Sequence, residues 1–166
     1  MKVRKSQWIK ILCIVCVVLL MAAIILFFIP KQNGSFHIDA VTGYFTAKSY
    51  LDNIISEKYD KAIKNVYLYE GSVDNPSSKK TEDVLSQWQQ RIIDAKERLD
   101  YLDSYSNLQV FLKDGRLVGT VSLTEYVSGV SQTYDTELVF VSGKIADITT
   151  SSIKDDIEQN LSGNIE

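Results

Sequence analysis

Side chains that could do chemistry are sparse in this chain of 166 residues. The one histidine, His37, stands just before the first predicted helix, at a linker and not in a pocket where a general base would work. Asp100 and Asp103 are three residues apart, so they could share a proton as a carboxylate pair, but their polar surroundings favour solvated turn acids. The sequence therefore predicts no catalytic residue and a protein that is not an enzyme.

Metal and cofactor sites are not indicated by the residue types either. The two cysteines, Cys13 and Cys16, lie inside an apolar run, and a single histidine cannot form a His-His metal site. Asp74-Asn75-Pro76 offers oxygen ligands without the residue order of a calcium loop. No glycine-rich phosphate loop and no zinc-protease or serine-hydrolase motif occurs. We therefore predict no metal and no cofactor.

Tyrosines and one polar strand face are the features that suggest a partner. Nine tyrosines occur, and most fall on helical or strand stripes, which favours core packing over a ligand cavity. One predicted strand alternates polar and apolar residues, and its polar side forms a candidate partner face: Thr120, Ser122, Thr124 and Tyr126. We expect this face to be exposed and to bind another protein.

The N-terminal residues predict a membrane anchor. Residues 11–30 contain no charged residue, and a helix over 11–29 would be about 28 Å long, close to the ~30 Å hydrocarbon core. The run is longer than a signal-peptide h-region, and no A-x-A-like site follows it, which favours an uncleaved anchor over a cleaved signal. Four cations precede it: Lys2, Arg4, Lys5 and Lys10.

The distribution of charged residues also predicts the orientation of the chain in the membrane. By the positive-inside rule, residues 1–10 form a basic tail in the cytoplasm, and the rest of the chain lies outside the cytoplasmic membrane. Residues 31–36 form a short polar linker. Residues 31–166 hold 14 Lys and Arg against 21 Asp and Glu, so this part is acidic and not suited to nucleic acid.

Helical patterns fill the first part of the predicted domain, residues 37–150. The second helix is predicted over about 57–67, residues 70–80 have the composition of a loop, and the third helix starts at Thr81 as N-cap and carries Trp88. The first helix begins near Asp39, and its predicted core stripe consists of Ile38, Val41, Phe45, Leu51, Ile54 and Ile55.

Strand patterns with a period of two follow from about residue 108. Three dipeptides typical of hairpin turns separate four strands: Asp114-Gly115, Ser128-Gly129 and Ser142-Gly143. In the tail, residues 151–166, the spacing of Ile153, Ile157 and Leu161 is compatible with a short amphipathic helix. Helices followed by an antiparallel meander define an α+β domain, preceded by one transmembrane helix.

This order of elements resembles the NTF2-like superfamily over residues 38–150. The stretch 110–148, with its Asp114-Gly115 turn and its terminal Gly-Lys-Ile hairpin, is similar to exported NTF2-like domains, and EKYDKAIKNVY (57–67) is similar to their second helix. The resemblance implies three helices packed on a curved antiparallel meander, the cystatin-like α+β cone, often with a cavity. It also implies that some bacterial members are membrane-tethered assembly parts, whereas others are enzymes.

Three functional hypotheses remain open on the sequence. The preferred one is a non-catalytic binding or assembly module of a cell-envelope or transfer/secretion complex, with a membrane or envelope protein as partner. The second is a small-ligand binder or enzyme that uses the cone cavity. The third is a regulatory accessory whose intramembrane helix recognises the target. Absence of a carboxylate-and-histidine signature argues against the second.

The predicted topology can be tested by proteolysis. In cells stripped of their outer layers, added protease should digest residues 37–166 and spare residues 1–10, with an intact cytoplasmic protein as control. Neutral replacements of the four N-terminal cations should weaken or invert the orientation, because these cations determine it. Protection of residues 37–166 would contradict this topology.

Overall fold

The computed structural model describes residues 15–16, 38–150 and 156–165. The chain divides into two units, Met1–Phe36 and His37–Glu166. Residues 15–16 are helical; the rest of the predicted anchor, the linker, His37 and Ile153 lie outside the described residues. Of the helices in the described part of the chain, none combines the length and apolarity that a bilayer span requires.

Within residues 38–150 three helices precede the main sheet, as predicted, and a further helix lies in residues 156–165. Helix α3 starts at Thr81, but Lys80 is its N-cap and makes no side-chain cap bond, so the predicted capping by Thr81 is wrong. The predicted second helix is shorter than expected and ends in a 3-10 turn, Ile63–Asn65. The helices are α1 Ile38–Ile55, α2 Tyr59–Ala62, α3 Thr81–Glu97 and α4 Asp156–Leu161.

The part of the chain that the structure describes contains six strands, which form two antiparallel sheets. A small hairpin of β1 Tyr69–Glu70 and β2 Ser72–Pro76 replaces part of the loop predicted over residues 70–80. The main sheet has the order β3-β4-β5-β6, which confirms the α+β class and the antiparallel meander. Its strands are β3 Tyr101–Lys113, β4 Arg116–Val127, β5 Val130–Val141 and β6 Lys144–Thr150.

The three hairpin turns of the main sheet follow the dipeptides found in the sequence. Asp114 and Gly115 have φ of 52° and 75°, and the Ser128-Gly129 and Ser142-Gly143 turns have the same positive pattern. Two successive residues with positive φ form the turn that matches the twist of paired strands. Strand β3 also carries two register shifts, and Asn107 has a φ of 55° at the second one. Such bulges bend a strand.

The core lies between the main sheet and helices α1 and α3. Gly43 permits the closest approach, because a Cβ placed there would lie 2.6 Å from Leu117 Cδ2 and 3.0 Å from Val110 Cγ1. The first half of α1 therefore rests on the β3–β4 hairpin. Fully or almost fully buried side chains of this core include Leu51, Trp88, Leu123, Leu138 and Ile145.

The core stripe predicted for α1 is wrong in its first half. Ile38 is 72% exposed and Phe45 57% exposed, on the side of the helix opposite to Gly43 and Ala47, which are buried. The spacing of six residues from Phe45 to Leu51 breaks the three-and-four pattern, so the two ends of the stripe lie on different faces.

A C-terminal segment, residues 160–165, closes the core beside helix α3. Trp88 Nε1 donates a hydrogen bond to the Ser162 carbonyl at 3.2 Å, and the Tyr50 hydroxyl donates one to the Leu161 carbonyl at 2.5 Å. Leu161 and Ile165 are buried in the core. Burial raises the pKa of the Tyr50 hydroxyl, so this group remains a donor at neutral pH.

Arg91 holds the same segment from helix α3. Its guanidinium donates to the carbonyls of Asn164 at 2.8 Å, Asn160 at 3.1 Å and Ser162 at 3.2 Å. Desolvation lowers the pKa of this guanidinium. A cation at the end of α4 complements the carbonyls that a helix leaves unpaired at its C-terminus.

Trp88 provides a test of this packing. In the unit His37–Glu166 produced alone, Trp88→Ala should lower the free energy of unfolding by about 3–5 kcal/mol, because a large buried aromatic is removed. Trp88→Phe should cost less, since the phenyl ring keeps part of the buried aromatic volume, although a hydrogen bond worth about 1 kcal/mol is also lost. Urea unfolding measures both, with Ser86→Ala on the exposed face of α3 as control. A loss for Trp88→Ala equal to that of the control would contradict the buried position.

Candidate functional site

The candidate partner face lies on one side of strand β4. Thr120, Ser122, Thr124 and Tyr126 alternate along β4 with Val121, Leu123 and Glu125, which are buried against the helices. Because side chains of a strand alternate between the two faces, all four candidates lie on the outer sheet face, opposite to the core. The outer sheet face is the side of β3, β4 and β5 that lies opposite to the core.

A groove of about 550 Å³ runs over the outer sheet face. Asn107 belongs to the bulge of β3, where the strand bends beside β4. Carboxylates of Asp135 and Glu137 and the hydroxyl of Thr120 give the groove a polar lining, together with Gln109, Ser122 and Thr149. The groove is open, so it suits an extended polar surface more than an enclosed metabolite.

Ser122 forms the floor of this groove and is not an exposed contact. It is 7% exposed. Its Oγ accepts a hydrogen bond from Asn107 Nδ2 at 3.1 Å and donates one to Asp135 Oδ1 at 2.6 Å. Ser122 therefore fixes the orientation of two neighbouring polar side chains, which are themselves exposed.

Tyr126 lies at the other end of the outer sheet face, in a small aromatic group. Its ring stacks on Tyr101 with centroids 5.0 Å apart and an interplanar angle of 17°. The ammonium of Lys96 lies 5.6 Å from the Tyr101 centroid, within cation–π range. Thr124 shares a hydrogen bond of 2.9 Å with Thr133 across the strands. This end thus offers a flat, half-buried aromatic surface beside hydroxyl groups.

Asp100 and Asp103, the two acids that could have formed a carboxylate pair, make separate contacts. Asp100 Oδ1 accepts a hydrogen bond of 2.7 Å from the Ser128 backbone N–H, and Arg98 Nε lies 3.8 Å from its Oδ2. Asp103 lies in β3, where it is exposed and accepts a bond from Ser104 Oγ at 3.2 Å. Asp103 was expected in a connection, and the earlier start of β3 places it in a strand.

The other polar candidates are structural or outside the described residues. Asn75 Nδ2 donates to the Glu70 carbonyl at 3.1 Å, and the Asp74 backbone N–H donates to Ser72 Oγ at 3.4 Å, which stabilises the small hairpin. Within residues 38–150 and 156–165 no three His, Cys, Asp or Glu side chains cluster as a metal site. His37 and Cys13 fall outside the described residues, and Cys16 is exposed.

Lys48, Asp52 and Tyr105 connect helix α1 to strand β3. Lys48 Nζ lies 2.7 Å from Asp52 Oδ2, and the Tyr105 hydroxyl donates to Asp52 Oδ1 at 2.7 Å. Desolvation raises the pKa of Asp52, but the hydrogen bonds from Lys48 and Tyr105 together outweigh it and hold this pKa below its usual value. The group is half exposed and lies on the surface, so we interpret it as a surface contact between helix and sheet.

Glu125 is a buried acid on strand β4 that was not among the residues singled out from the sequence. It is 0% exposed and lies on the core side of β4, with Leu123 before it and Leu102 opposite on β3. The hydroxyl of Tyr134 donates a hydrogen bond to Glu125 Oε2. A fully buried glutamate is rare unless it is paired, because desolvation of a carboxylate is unfavourable. The signal was present in the sequence: Glu125 has the same parity as the core residues Val121 and Leu123.

A second groove, of about 470 Å³, lies along helix α3. Gln87, Gln90 and Asp94 line its exposed side, with Arg91 and Asn160 of the C-terminal contact beneath. Gln90 Nε2 donates to Asp94 Oδ1 at 2.7 Å. Arg91 and Asn160 of this groove already take part in the attachment of residues 160–165.

Comparisons with known proteins add a likeness of fold only. The structure is similar to a solved protein of Xanthomonas campestris pv. campestris that carries the provisional name polyketide cyclase, with a TM-score of 0.41 and 13% sequence identity. The similarity covers 67% of this chain and 90% of that one. A likeness of this extent assigns neither family nor activity. No family model matches the sequence, and no curated protein matches it.

The contact between Glu125 and Tyr134 can be tested by conservative replacement. Tyr134→Phe removes the donor to a buried carboxyl oxygen, so we expect it to lower the free energy of unfolding by about 1–3 kcal/mol. Tyr126→Phe, with its ring on the outer sheet face, is the matched control and should change it by less than about 0.5 kcal/mol. Urea unfolding of both variants is the measurement. Equal effects would contradict a hydrogen bond in the core.

Proposed function

We propose that this chain is a single-pass membrane protein whose NTF2-like domain is a non-catalytic binding or assembly module of a cell-envelope or transfer/secretion complex. Residues 11–30 anchor it in the cytoplasmic membrane, with residues 1–10 inside and the domain outside. The observation that carries the proposal is a contrast within the domain. Apolar side chains fill the space between helices and sheet, whereas an open polar groove lies on the outer sheet face.

The filled interior supports a binding module over an enzyme. Leu51, Leu123 and Leu138 are completely buried where a cone cavity would lie, and Trp88 packs beside them. One gap between the helices and β3, near Ile54 and Leu102, measures about 30 Å³. Pockets for small molecules usually hold about 300–1,000 Å³. That gap is far too small for a metabolite.

The outer sheet face supports recognition of a protein partner. It combines a polar groove with the stacked Tyr101 and Tyr126 rings, and tyrosine is frequent among residues that contribute most to protein interfaces. The partner is then a membrane or envelope protein, because the proposed anchor restricts the domain to the membrane surface. Restriction to two dimensions raises the effective concentration of neighbouring membrane components.

The NTF2-like assignment and the anchor rest on different observations. Three helices followed by a four-stranded antiparallel meander is the order that the NTF2-like resemblance implies, and this order supports the assignment. The anchor rests on the charge-free run of residues 11–30 and on the four cations before it.

Site-specific photo-crosslinking in native membranes tests the partner face. A crosslinking side chain at Thr124 should give a discrete adduct, and one at Ser86, on the exposed face of α3, should give none. Tyr126→Arg should reduce the adduct yield at least about tenfold, since loss of an interface aromatic commonly costs about 2 kcal/mol or more. Ser122→Arg is not a suitable variant, because it would break the contacts with Asn107 and Asp135. Equal adducts at Thr124 and Ser86 would contradict the face.

A ligand-binding or enzymatic role remains the second candidate, and Glu125 is the observation that favours it. A carboxyl inside the core, hydrogen-bonded to Tyr134, is a group that an enzyme could use as acid or base. Complementation by Glu125→Gln distinguishes the two roles. Loss of function with an unchanged thermal melt would favour chemistry at this carboxyl, whereas retained function favours the binding module.

A further inference from the structure

Helix α1 has an exposed face that changes character along its length. In its first two turns this face carries Ile38 and Phe45, which are exposed, and the half-buried Val41 between them. From Lys48 onward the same face is polar, with Ser49 and Asp52 exposed. We call the three residues Ile38, Val41 and Phe45 the α1 apolar stripe. It lies opposite to the core side of α1, where Gly43, Ala47 and Tyr50 are buried.

We propose that the α1 apolar stripe docks into the interfacial region of the lipid bilayer. The inference rests on the proposed anchor, because the eight residues 30–37 that join residue 29 to Ile38 reach at most about 28 Å. Ile38, where the stripe begins, therefore stays within that distance of the bilayer edge, and Phe45 lies about 10 Å further along the helix. The apolar end of the face, not its polar end, follows the linker in the sequence. An amphipathic helix buries its apolar side about 5–10 Å into the headgroup and acyl boundary.

Charged residues at the same end of the domain fit a lipid surface. The first half of α1 rests on the β3–β4 hairpin, at Leu117 and Val110. That hairpin ends in Lys113 and Arg116, and the neighbouring β5–β6 hairpin ends in Lys144. These three exposed residues are the tip cations.

Acidic residues at this end do not cancel the tip cations. Asp114, in the turn between Lys113 and Arg116, and Asp39, in the first turn of α1, are both exposed, so these two acids and the three tip cations together carry one net positive charge. Residues 31–166 as a whole have a large acidic excess. Anionic lipids attract basic groups close to the membrane surface. The bilayer is thus the occupant that matches both the apolar stripe and the local charge.

Fluorescence quenching in vesicles tests the docking with the full chain. Cys13→Ala and Cys16→Ala remove the native thiols, and Thr42→Cys, on the same side of α1 as the stripe, carries an environment-sensitive dye. Vesicles contain phosphatidylcholine, phosphatidylglycerol and a lipid spin-labelled near the headgroup. We expect at least about two-fold quenching at position 42 and none for a dye at Ser131→Cys on the outer sheet face, because only the stripe enters the interface.

Matched variants identify the contributions of the stripe and the cations. Ile38→Asp with Phe45→Asp should abolish quenching at position 42 without changing far-ultraviolet circular dichroism, since both side chains are exposed. Replacement of the three tip cations by glutamine should reduce quenching at position 42 in vesicles that contain phosphatidylglycerol. Glutamine at Lys58, Lys61 and Lys64, three exposed cations beyond the other end of α1, is the control and should leave quenching unchanged.

The outcomes separate the docking from the anchor. Retention of the chain in vesicles after alkaline extraction, with quenching at 42 but not at 131, supports both. Retention without quenching at 42, or with equal quenching at both positions, overturns the docking and leaves the anchor. Loss of the chain on alkaline extraction overturns the anchor and the docking together. Shielding of the dye at 42 only in native membranes would assign the stripe to a protein and overturn the lipid assignment.

Discussion

Attachment of the C-terminal segment is the constraint on which the rest of the domain depends. Residues 160–165 bring backbone carbonyls into an apolar core, and buried carbonyls must find donors. Tyr50 of α1 and Trp88 and Arg91 of α3 supply them. Gly163 brings this backbone so close to Tyr67 that a Cβ would lie 1.9 Å from its carbonyl oxygen. Two helices, the region before β1 and the end of the chain therefore fix each other's positions.

Local patterns predicted the sheet well, since its turns depend on residues next to each other. Asp114-Gly115 and the two Ser-Gly turns need positive φ at both positions. Such dipeptides are typical of two-residue hairpin turns, so the turns could be located from the sequence. Strand β6 begins at Lys144 as predicted. The start of β3 was missed by several residues, because bulges at residues 102–104 and 106–109 interrupt the alternation that reveals a strand.

The features that local sequence patterns did not reveal depend on register, on the angle around a helix or on distant contacts. Glu125 follows Leu123 by two residues, so the strand that buries Leu123 also buries this carboxyl. Its place in the sheet is determined by register and not by residue type. The apolar residues predicted as one stripe of α1 lie on two faces of the helix. Phe45 and Leu51 are separated by their angle around the helix axis. The contacts of Arg91 with the C-terminal segment span about seventy residues of chain, and no local pattern indicates such a pairing.

The domain presents two different surfaces on opposite sides of one core. Helix α1 packs on the inner face of the sheet, so its apolar stripe points away from the sheet, and the outer sheet face points the other way. If α1 lies along the bilayer, the groove and the Tyr101–Tyr126 pair face away from the lipid, where a partner can reach them. One surface would then orient the domain and the other would bind. In that arrangement a closely packed, rigid core would carry the orientation of α1 over to the outer sheet face.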